Sequence, residues 1–215
     1  SFFKFEIGIT PKEAAAKRYR NPEILAKLQV LVIDEASMVR ADLMDCIDAV
    51  LRKYGPHPGQ PFGGVIILLV GDLYQLEPVL SSDEKLLLRH YTSTFFFSST
   101  GYQEASAFGL SGFRMSELTH PFRQSEIDFL QALDGVRDDT ATDDHLELLN
   151  KQVRPMSHQG IINYLEEPGA TMLATHREQV TYWNARMLST LPAETVSFTA
   201  SIWGNFPKDH FPADP

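Results

Sequence analysis

Residues 28–37 read LQVLVIDEAS, and residues 65–76 read VIILLVGDLYQL. In each stretch an unbroken apolar run is followed at once by acidic or amide side chains. Such runs predict strands buried on both faces, as in a parallel sheet covered by helices. Ligands of these sheets bind beyond the carboxyl ends of the strands. We therefore expect four side chains to converge on one rim of the sheet: Asp34, Glu35, Asp72 and Gln75.

These side chains match the needs of a nucleoside triphosphatase. Asp34 suits Mg²⁺, which prefers one or two carboxylates together with phosphate oxygens. Glu35 can orient or deprotonate an attacking water. The Gln75 amide can accept a hydrogen bond from that water and donate one to a γ-phosphate oxygen. The position of this side chain can therefore report whether the γ-phosphate is present. The structural alternative is a solvated acidic turn after a core strand, with Gln75 in solvent.

A candidate catalytic cation follows in the segment His120–Gln124. The sequence changes in texture at residues 109–112, and we place a domain boundary near Phe113. Arg123 would then belong to a second domain, from which a guanidinium can neutralise transition-state charge as arginine fingers do. The alternative is a local pair between Arg123 and a carboxylate near a helix start.

Composition narrows the class of protein. The chain has 215 residues, 43% of them hydrophobic, which suffices for one large or two small domains. No apolar run reaches the roughly 18 residues of a membrane span, and no signal peptide is visible. Cys46 is the only cysteine, which rules out an internal disulfide framework and fits a reducing, intracellular setting. The location we expect is cytoplasmic, in the bacterial cytoplasm or nucleoid. A net charge of −9 neither indicates nor excludes nucleic-acid binding.

Periodicity and helix breakers predict the other elements. The predicted helices are 11–27 with a break near Asn21-Pro22, 38–54, 126–136, 141–151 and 177–191. The predicted strands are 28–33, 65–70, 94–97 and 170–175, and residues 55–64 form a loop. Helix 38–54 has a stripe of Leu43, Ile47, Val50 and Leu51, with Gly55 as its C-cap. Helix 126–136 turns four apolar side chains inward: Ile127, Leu130, Leu133 and Val136.

Several other features are more typical of structure than of chemistry. Phe95–Phe97 could stack on bases, but consecutive aromatics near a strand indicate core. Cys46 lies beside the apolar stripe and is expected to be an inert small hydrophobe. The histidines lack metal-ligand spacing, which argues against zinc. No Ser/His/Asp constellation can be argued from spacing.

The motifs together resemble the PIF-type (petite integration frequency) DNA helicases, superfamily 1 enzymes of the B polarity that are related to RecD. Residues 32–40 are similar to the family's Walker B segment. Phe62-Gly63-Gly64 and residues 65–79 are similar to its third motif. The remaining similar segments are Leu118–Gln124 with Phe129 and Arg137 (fourth motif), Ala174-Thr175-His176 with Asn184 (second motor domain), and Ser1-Phe2-Phe3 (after motif Ia).

The resemblance implies an α/β fold. Residues 1–113 would form part of a first RecA-like P-loop NTPase motor domain, and residues 114–215 the start of a second. The implied activity is 5′-to-3′ DNA unwinding driven by ATP and Mg²⁺, with roles in DNA repair and recombination. The implied partners are single-stranded DNA and duplex junctions, met by a monomer.

The resemblance also assigns site residues. Asp34 binds Mg²⁺, Glu35 is the catalytic base, Gln75 senses the γ-phosphate, and Arg123 reaches that phosphate from the second domain. A track for single-stranded DNA would include Phe2, which could stack on a base, and Lys4. The track would also include Thr175 and His176, because they lie at the start of a predicted helix, where free backbone N–H groups can bind phosphates.

Two departures accompany the resemblance. First, no Gly-x-x-x-x-Gly-Lys-Ser/Thr sequence occurs in the chain, so the phosphate-binding loop of the family is missing. Second, Glu77 stands where the family usually has Pro. We expect an internal fragment that is inactive by itself. Two other hypotheses stay open: a non-catalytic remnant that binds DNA or protein, and a RecD-like subunit of a recombination nuclease or a conjugative relaxase.

Overall fold

The fold is taken from a computed structural model, which describes residues 2–6, 8–80, 89–107, 113–193, 196, 198–199 and 201. The elements in chain order are α1 (Pro11–Ala16), α2 (Pro22–Ala26), β1 (Val30–Ile33), α3 (Ala41–Tyr54), β2 (Ile66–Leu69), α4 (Thr100–Ala107), α5 (Ile127–Arg137), α6 (Asp143–Asn150), α7 (His158–Leu165) and α8 (Arg177–Leu188). Short 3₁₀ turns cover Ala36–Met38, Pro61–Gly64 and Phe96–Ser98. No helix in these ranges is long and apolar enough to cross a membrane.

The chain divides into two compact units. The first comprises Ser1–Leu130 together with Arg137–Asp139, and the second comprises Gln131–Val136 together with Thr140–Pro215. Arg123 lies in the first unit of this division. The boundary near Phe113, and the assignment of Arg123 to a second motor domain, stay predictions.

The two predicted buried runs form a parallel pair of strands. β1 and β2 run side by side with Val30 opposite Ile66 and Ile33 opposite Leu69. A parallel pair needs a crossover connection, which α3 supplies. The prediction of parallel strands connected by a helix is therefore confirmed for β1 and β2.

The prediction that both strands are buried on both faces is wrong. Leu31, Ile33, Ile67 and Leu69 pack against the buried core. The alternate residues are exposed by about half: Val30 by 45%, Val32 by 56%, Ile66 by 65% and Leu68 by 50%. The reason is that side chains alternate along a strand, and the described residues cover only one face of the pair.

Helix α3 is the centre of the first unit. Met44, Val50 and Leu51 are fully buried, and Ile47 is nearly so. The predicted stripe is thus largely confirmed, although the helix begins at Ala41 because Ala36–Met38 turn in a separate 3₁₀ segment. Burial also extends to the polar side, where three aspartates are buried: Asp42, Asp45 and Asp48.

The buried aspartates of α3 organise neighbouring segments. Asp42 receives two hydrogen bonds from the Arg40 guanidinium, at 2.9 and 2.7 Å. Asp45 accepts from the backbone N–H of Gly101 at 2.8 Å, at the start of α4. Asp48 accepts from the backbone N–H of Phe62 at 2.6 Å. Asp45 and Asp48 therefore satisfy backbone donors of segments distant in sequence, whereas Asp42 pairs with a side chain just before its own helix.

The end of α3 depends on close backbone packing. Gly55 is the C-cap of the helix, as predicted, and it has an extended backbone with φ of −72°. A Cβ there would lie 2.5 Å from the Leu51 carbonyl oxygen, which explains the glycine. Gly63 approaches the same oxygen and has φ of +59°, a conformation that favours glycine.

Other local predictions have mixed outcomes. The helix break at Asn21-Pro22 is confirmed because Pro22 begins α2, where its missing N–H costs nothing. The strand at 94–97 is wrong: Phe95 makes a single antiparallel bridge to Arg40, and a 3₁₀ turn follows. Phe96 is buried, as the core interpretation of the aromatics predicts. Helices α4 and α7 have no counterpart among the predictions.

Helix α5 departs from its predicted packing. Ala132 and Gly135 are the buried residues of α5, whereas Ile127 is 68% exposed and Val136 is 53% exposed. Gly135 lies close to α6 and to the segment before it, since a Cβ there would lie 2.9 Å from His145 Nδ1 and 3.2 Å from Ala141 Cα. Residues 170–175 form no strand, since none of the described segments pairs with them.

Candidate functional site

The two strand-end loops are held together by backbone contacts. Val70 donates to the Ile33 carbonyl at 2.9 Å, and the Ala36 N–H donates to the Val70 carbonyl at 2.9 Å. A Cβ on Gly71 would lie only 2.8 Å from the Ala36 nitrogen, so a glycine is required for this approach. The structure thereby brings the Asp34-Glu35 turn beside the loop that begins at Gly71.

The acidic turn adopts an unusual backbone conformation. Glu35 has φ of 52° and ψ of 46°, which few residues other than glycine adopt. Its N–H donates to Asp34 Oδ1 at 2.9 Å, and the 3₁₀ turn at Ala36 follows directly. Strained backbone of this kind tends to occur at functional sites. Both carboxylates are exposed, and within the described residues no cation pairs with either.

The second loop is a compact turn built around Asp72. Its Oδ1 accepts from the Tyr74 N–H at 3.0 Å, and its Oδ2 accepts from Gln75 Nε2 at 3.2 Å. Its carbonyl also accepts from the Gln75 N–H at 3.1 Å. The hydrogen bond from the Tyr74 backbone is the main cause that lowers the pKa of Asp72, so this carboxylate stays ionised. Gln75 is therefore tethered at both its backbone and its side chain.

A cationic side chain of the first unit approaches this turn. Arg137 Nη1 lies 3.8 Å from Asp72 Oδ2, and its guanidinium lies 5.5 Å from the centre of the Tyr74 ring. A cavity of about 340 Å³ lies here, lined by Tyr74, Glu117, Arg137, Asp138 and Asp139. The sequence signal for Arg137 was its place after the fourth motif, and no role was predicted for it.

Arg123 is exposed, and within the described residues no ion pair joins it to Asp34, Glu35 or Asp72. In the described part of the chain no ion pair joins it to Glu126, the carboxylate of the structural alternative. The nearest aromatic feature is the edge-on pair of His120 and Phe122, with ring centres 4.7 Å apart. Its predicted catalytic role stays a prediction.

Two predicted DNA-track residues lie in the N-terminal segment. Phe2 is 54% exposed and meets Phe3 edge-on, at 5.1 Å between ring centres. Lys4 is exposed with φ of 49°, and its carbonyl accepts from Lys17 Nζ at 2.6 Å. An exposed ring near an exposed lysine is compatible with nucleic-acid binding.

The other two predicted DNA-track residues lie in the second unit. His176 is the N-cap residue of α8, and its side chain makes no capping hydrogen bond. Its Nδ1 lies 2.9 Å from the Thr175 hydroxyl oxygen. The first N–H groups of this helix are therefore left without a side-chain cap from His176, which suits an anion.

The donor set at the strand ends fits Mg²⁺ better than a protein-caged metal. The described residues contain no group of three or more His, Cys, Asp or Glu side chains able to hold a metal ion. Mg²⁺ usually takes one or two carboxylates, with phosphate and water oxygens completing its shell. The exposed Asp34 carboxylate can supply one such ligand.

The geometry defines the chain as an α/β protein with acidic and amide side chains gathered at the carboxyl ends of two parallel strands. The sequence model of the family described as "PIF1-like helicase" matches residues 1–145. The chain therefore belongs to the PIF1-like helicase family.

Individual relatives agree with this assignment. Human "ATP-dependent DNA helicase PIF1" is 32% identical over 173 residues, which cover 80% of this chain and 24% of that protein. The crystal structure of Pif1 helicase from Bacteroides in complex with ADP-AlF3 and ssDNA matches with a TM-score of 0.75 at 30% identity. That match covers 96% of this chain and 49% of the Bacteroides chain.

A second solved structure, from a study of DNA unwinding at forked dsDNA by two coordinating Pif1 helicases, matches with a TM-score of 0.74 at 33% identity. It covers 99% of this chain and 48% of the other. The predicted RecA-like α/β fold is confirmed by these neighbours. The chain spans about a quarter of the curated relative's length and about half of each solved chain.

Proposed function

We propose that this chain is part of an ATP-dependent DNA helicase that moves 5′-to-3′ on single-stranded DNA and unwinds duplexes at junctions. The observation that carries the proposal is the strand-end cluster, in which backbone contacts hold the Asp34-Glu35 turn against the loop of Asp72 and Gln75. The named activity of the relatives, ATP-dependent DNA unwinding, supports it.

The proposed roles follow from the chemistry of each side chain. Asp34 holds Mg²⁺, which when bound neutralises phosphate charge. Glu35 orients or deprotonates the attacking water, since its carboxylate is exposed and unpaired within the described residues. Gln75 contacts the γ-phosphate, and Arg123 neutralises its developing charge when the nucleotide cleft closes.

The proposed DNA track uses Phe2 and Lys4 in the first unit and Thr175 and His176 in the second. Phe2 stacks on a base, while Thr175 and the open N–H groups beside His176 position phosphates. We infer a monomer that works inside the cell in DNA repair and recombination, in the bacterial cytoplasm or nucleoid.

The test uses a complete helicase that carries this chain together with a phosphate-binding loop. Glu35→Gln keeps the shape and the Mg²⁺ ligand, so nucleotide affinity should persist while DNA-stimulated ATP turnover falls by about 10²-fold or more. Asp34→Ala should weaken binding of Mg²⁺-nucleotide itself. Both are measured by steady-state ATPase kinetics and by fluorescent-nucleotide titration.

Glu23→Gln serves as the control, because Glu23 is an exposed acid in the first turn of α2, away from the strand ends. It should hydrolyse ATP at the parent rate. Near-parent turnover by Glu35→Gln would show that Glu35 is not the base. Unchanged Mg²⁺-nucleotide affinity in Asp34→Ala would remove Asp34 from the metal site.

A further inference from the structure

Arg137 lies beside the turn of Asp72, Tyr74 and Gln75, and none of the proposed roles involves it. It is the last residue of α5 and belongs to the first unit. Its guanidinium meets the turn at two places, the Asp72 carboxylate at 3.8 Å and the Tyr74 ring at 5.5 Å. Arginine suits both contacts because its planar group pairs with carboxylates and stacks on aromatic faces.

The Asp72 oxygen that faces Arg137 is the same oxygen that holds Gln75. Asp72 Oδ2 accepts from Gln75 Nε2 at 3.2 Å, while Oδ1 accepts from the Tyr74 N–H at 3.0 Å. A shift of this carboxylate would therefore release the Gln75 side chain. An untethered glutamine samples many rotamers, and ordering it again on the nucleotide costs free energy.

A direct role of Arg137 in binding phosphate is disfavoured by its surroundings. The cavity beside it is also lined by Glu117, Asp138 and Asp139, and Arg137 Nε lies 3.5 Å from Asp138 Oδ1. Three carboxyl groups around one guanidinium repel a polyphosphate. The contacts of Arg137 with Asp72 and Tyr74 instead indicate a role in holding the turn.

We propose that Arg137 is a positioning residue for Gln75, acting through the Asp72 carboxylate and the Tyr74 ring. This inference rests on the proposed function, in which Gln75 contacts the γ-phosphate. Arg137 itself does not touch the nucleotide. It fixes the turn, and so keeps the Gln75 amide where a γ-phosphate can exchange for the Asp72 oxygen at little entropic cost.

The experiment compares Arg137→Ala, Arg137→Lys and the control Arg20→Ala in the complete helicase. Arg20 is exposed and lies between α1 and α2, far in sequence from the turn at Asp72. Dissociation constants for a non-hydrolysable ATP analogue and for ADP are measured by competition with a fluorescent nucleotide. Their ratio reports contact with the γ-phosphate and is not altered by a general loss of folded protein.

In Arg137→Ala the preference for the triphosphate analogue over ADP should fall about tenfold, with the affinity for ADP within about twofold of the parent. The kcat of DNA-stimulated hydrolysis should fall with it. The preference of Arg137→Lys should lie between those of the parent and Arg137→Ala, because lysine keeps the charge toward Asp72 but loses the planar contact with Tyr74. An unchanged preference in Arg137→Ala would overturn the inference.

A double-mutant cycle shows whether Arg137 acts through Gln75. Adding Arg137→Ala to Gln75→Ala should cause no further loss of preference, since the side chain being positioned is already gone. Independent, multiplying losses would contradict the inference. If Gln75→Ala alone leaves the preference and the turnover unchanged, then it is the proposed sensor role of Gln75 that fails.

Discussion

At the scale of single residues, burial decides which reactive groups are available. Cys46 is fully buried, and its Sγ lies 3.6 Å from the Ile9 carbonyl oxygen. Burial is the main cause that raises the pKa of this thiol from its ordinary 9.0 to about 12. The thiolate is the reactive form, so the folded protein should keep Cys46 inert, as the sequence predicts.

We predict that iodoacetamide at pH 8 modifies Cys46 slowly in the native protein and quickly in urea, as measured by mass spectrometry. Ser106→Cys on the exposed side of α4, in a Cys46→Ala background, is the control and should react at once without urea. Equal native rates at the two positions would contradict burial of Cys46.

The same shift gives stability a pH dependence. The unfolded thiol loses its proton near pH 9, whereas the folded one keeps it until about pH 12. In this window the folded state binds more protons, so the contribution of Cys46 to stability is complete below pH 9 and is lost as the pH rises toward 12.

At the scale of elements, the turn after α3 shows how one helix sets the geometry of the next segment. Pro61–Gly64 leads into β2, and Asp48 holds the Phe62 N–H at 2.6 Å. Burial is the main cause that raises the pKa of Asp48. Gly63 has φ of +59°, and a Cβ there would overlap the Leu51 carbonyl oxygen at the end of the helix.

We predict that Gly63→Ala destabilises the protein by more than about 3 kcal/mol, because it combines steric overlap with a strained φ. Gly59→Ala is a matched control: Gly59 also has positive φ, +86°, but nothing lies within 4 Å of its Cβ position. That variant should lose only about 1 to 2 kcal/mol. Urea denaturation followed by circular dichroism measures both, and equal losses would show that strain alone matters.

At the scale of the whole molecule, the strand-end site holds only part of what ATP hydrolysis requires. In the proposed function Asp34, Glu35 and Gln75 serve the metal, the water and the γ-phosphate, but the 215 residues contain no Gly-x-x-x-x-Gly-Lys-Ser/Thr sequence. Such a loop supplies the backbone N–H groups and the Lys that cradle the phosphates. Positioning of the phosphates is most of phosphoryl-transfer catalysis.

We therefore predict that residues 1–215 alone hydrolyse ATP no faster than the buffer background, with or without single-stranded DNA. A phosphate-release assay over a range of protein concentrations measures this. The complete helicase, assayed in parallel, should turn over ATP with DNA stimulation. Robust Mg²⁺-dependent hydrolysis by the 215-residue chain would contradict the prediction and would require another source of phosphate binding.

Local patterns predicted well wherever the decisive contacts are near in sequence. The parallel strands, the break at Pro22 and the burial of Leu51 all follow from runs, breakers and periodicity within a few residues. The placement of α4 does not. Its start is held by Asp45, whose Oδ1 accepts the Gly101 N–H across 56 residues of sequence, and no local signal carries that contact.

The sequence by itself determined the family, the parallel strand pair and the types of side chain at the strand ends, because these depend on residue identity and short spacing. Tertiary structure alone decided how those side chains are held. The Gly71–Ala36 approach and the Arg137 contact with Asp72 join segments far apart in the chain, and beside them Glu35 adopts a left-handed backbone. It also exposed Val32 and Ile127, since an apolar side chain is buried only where another element packs over it.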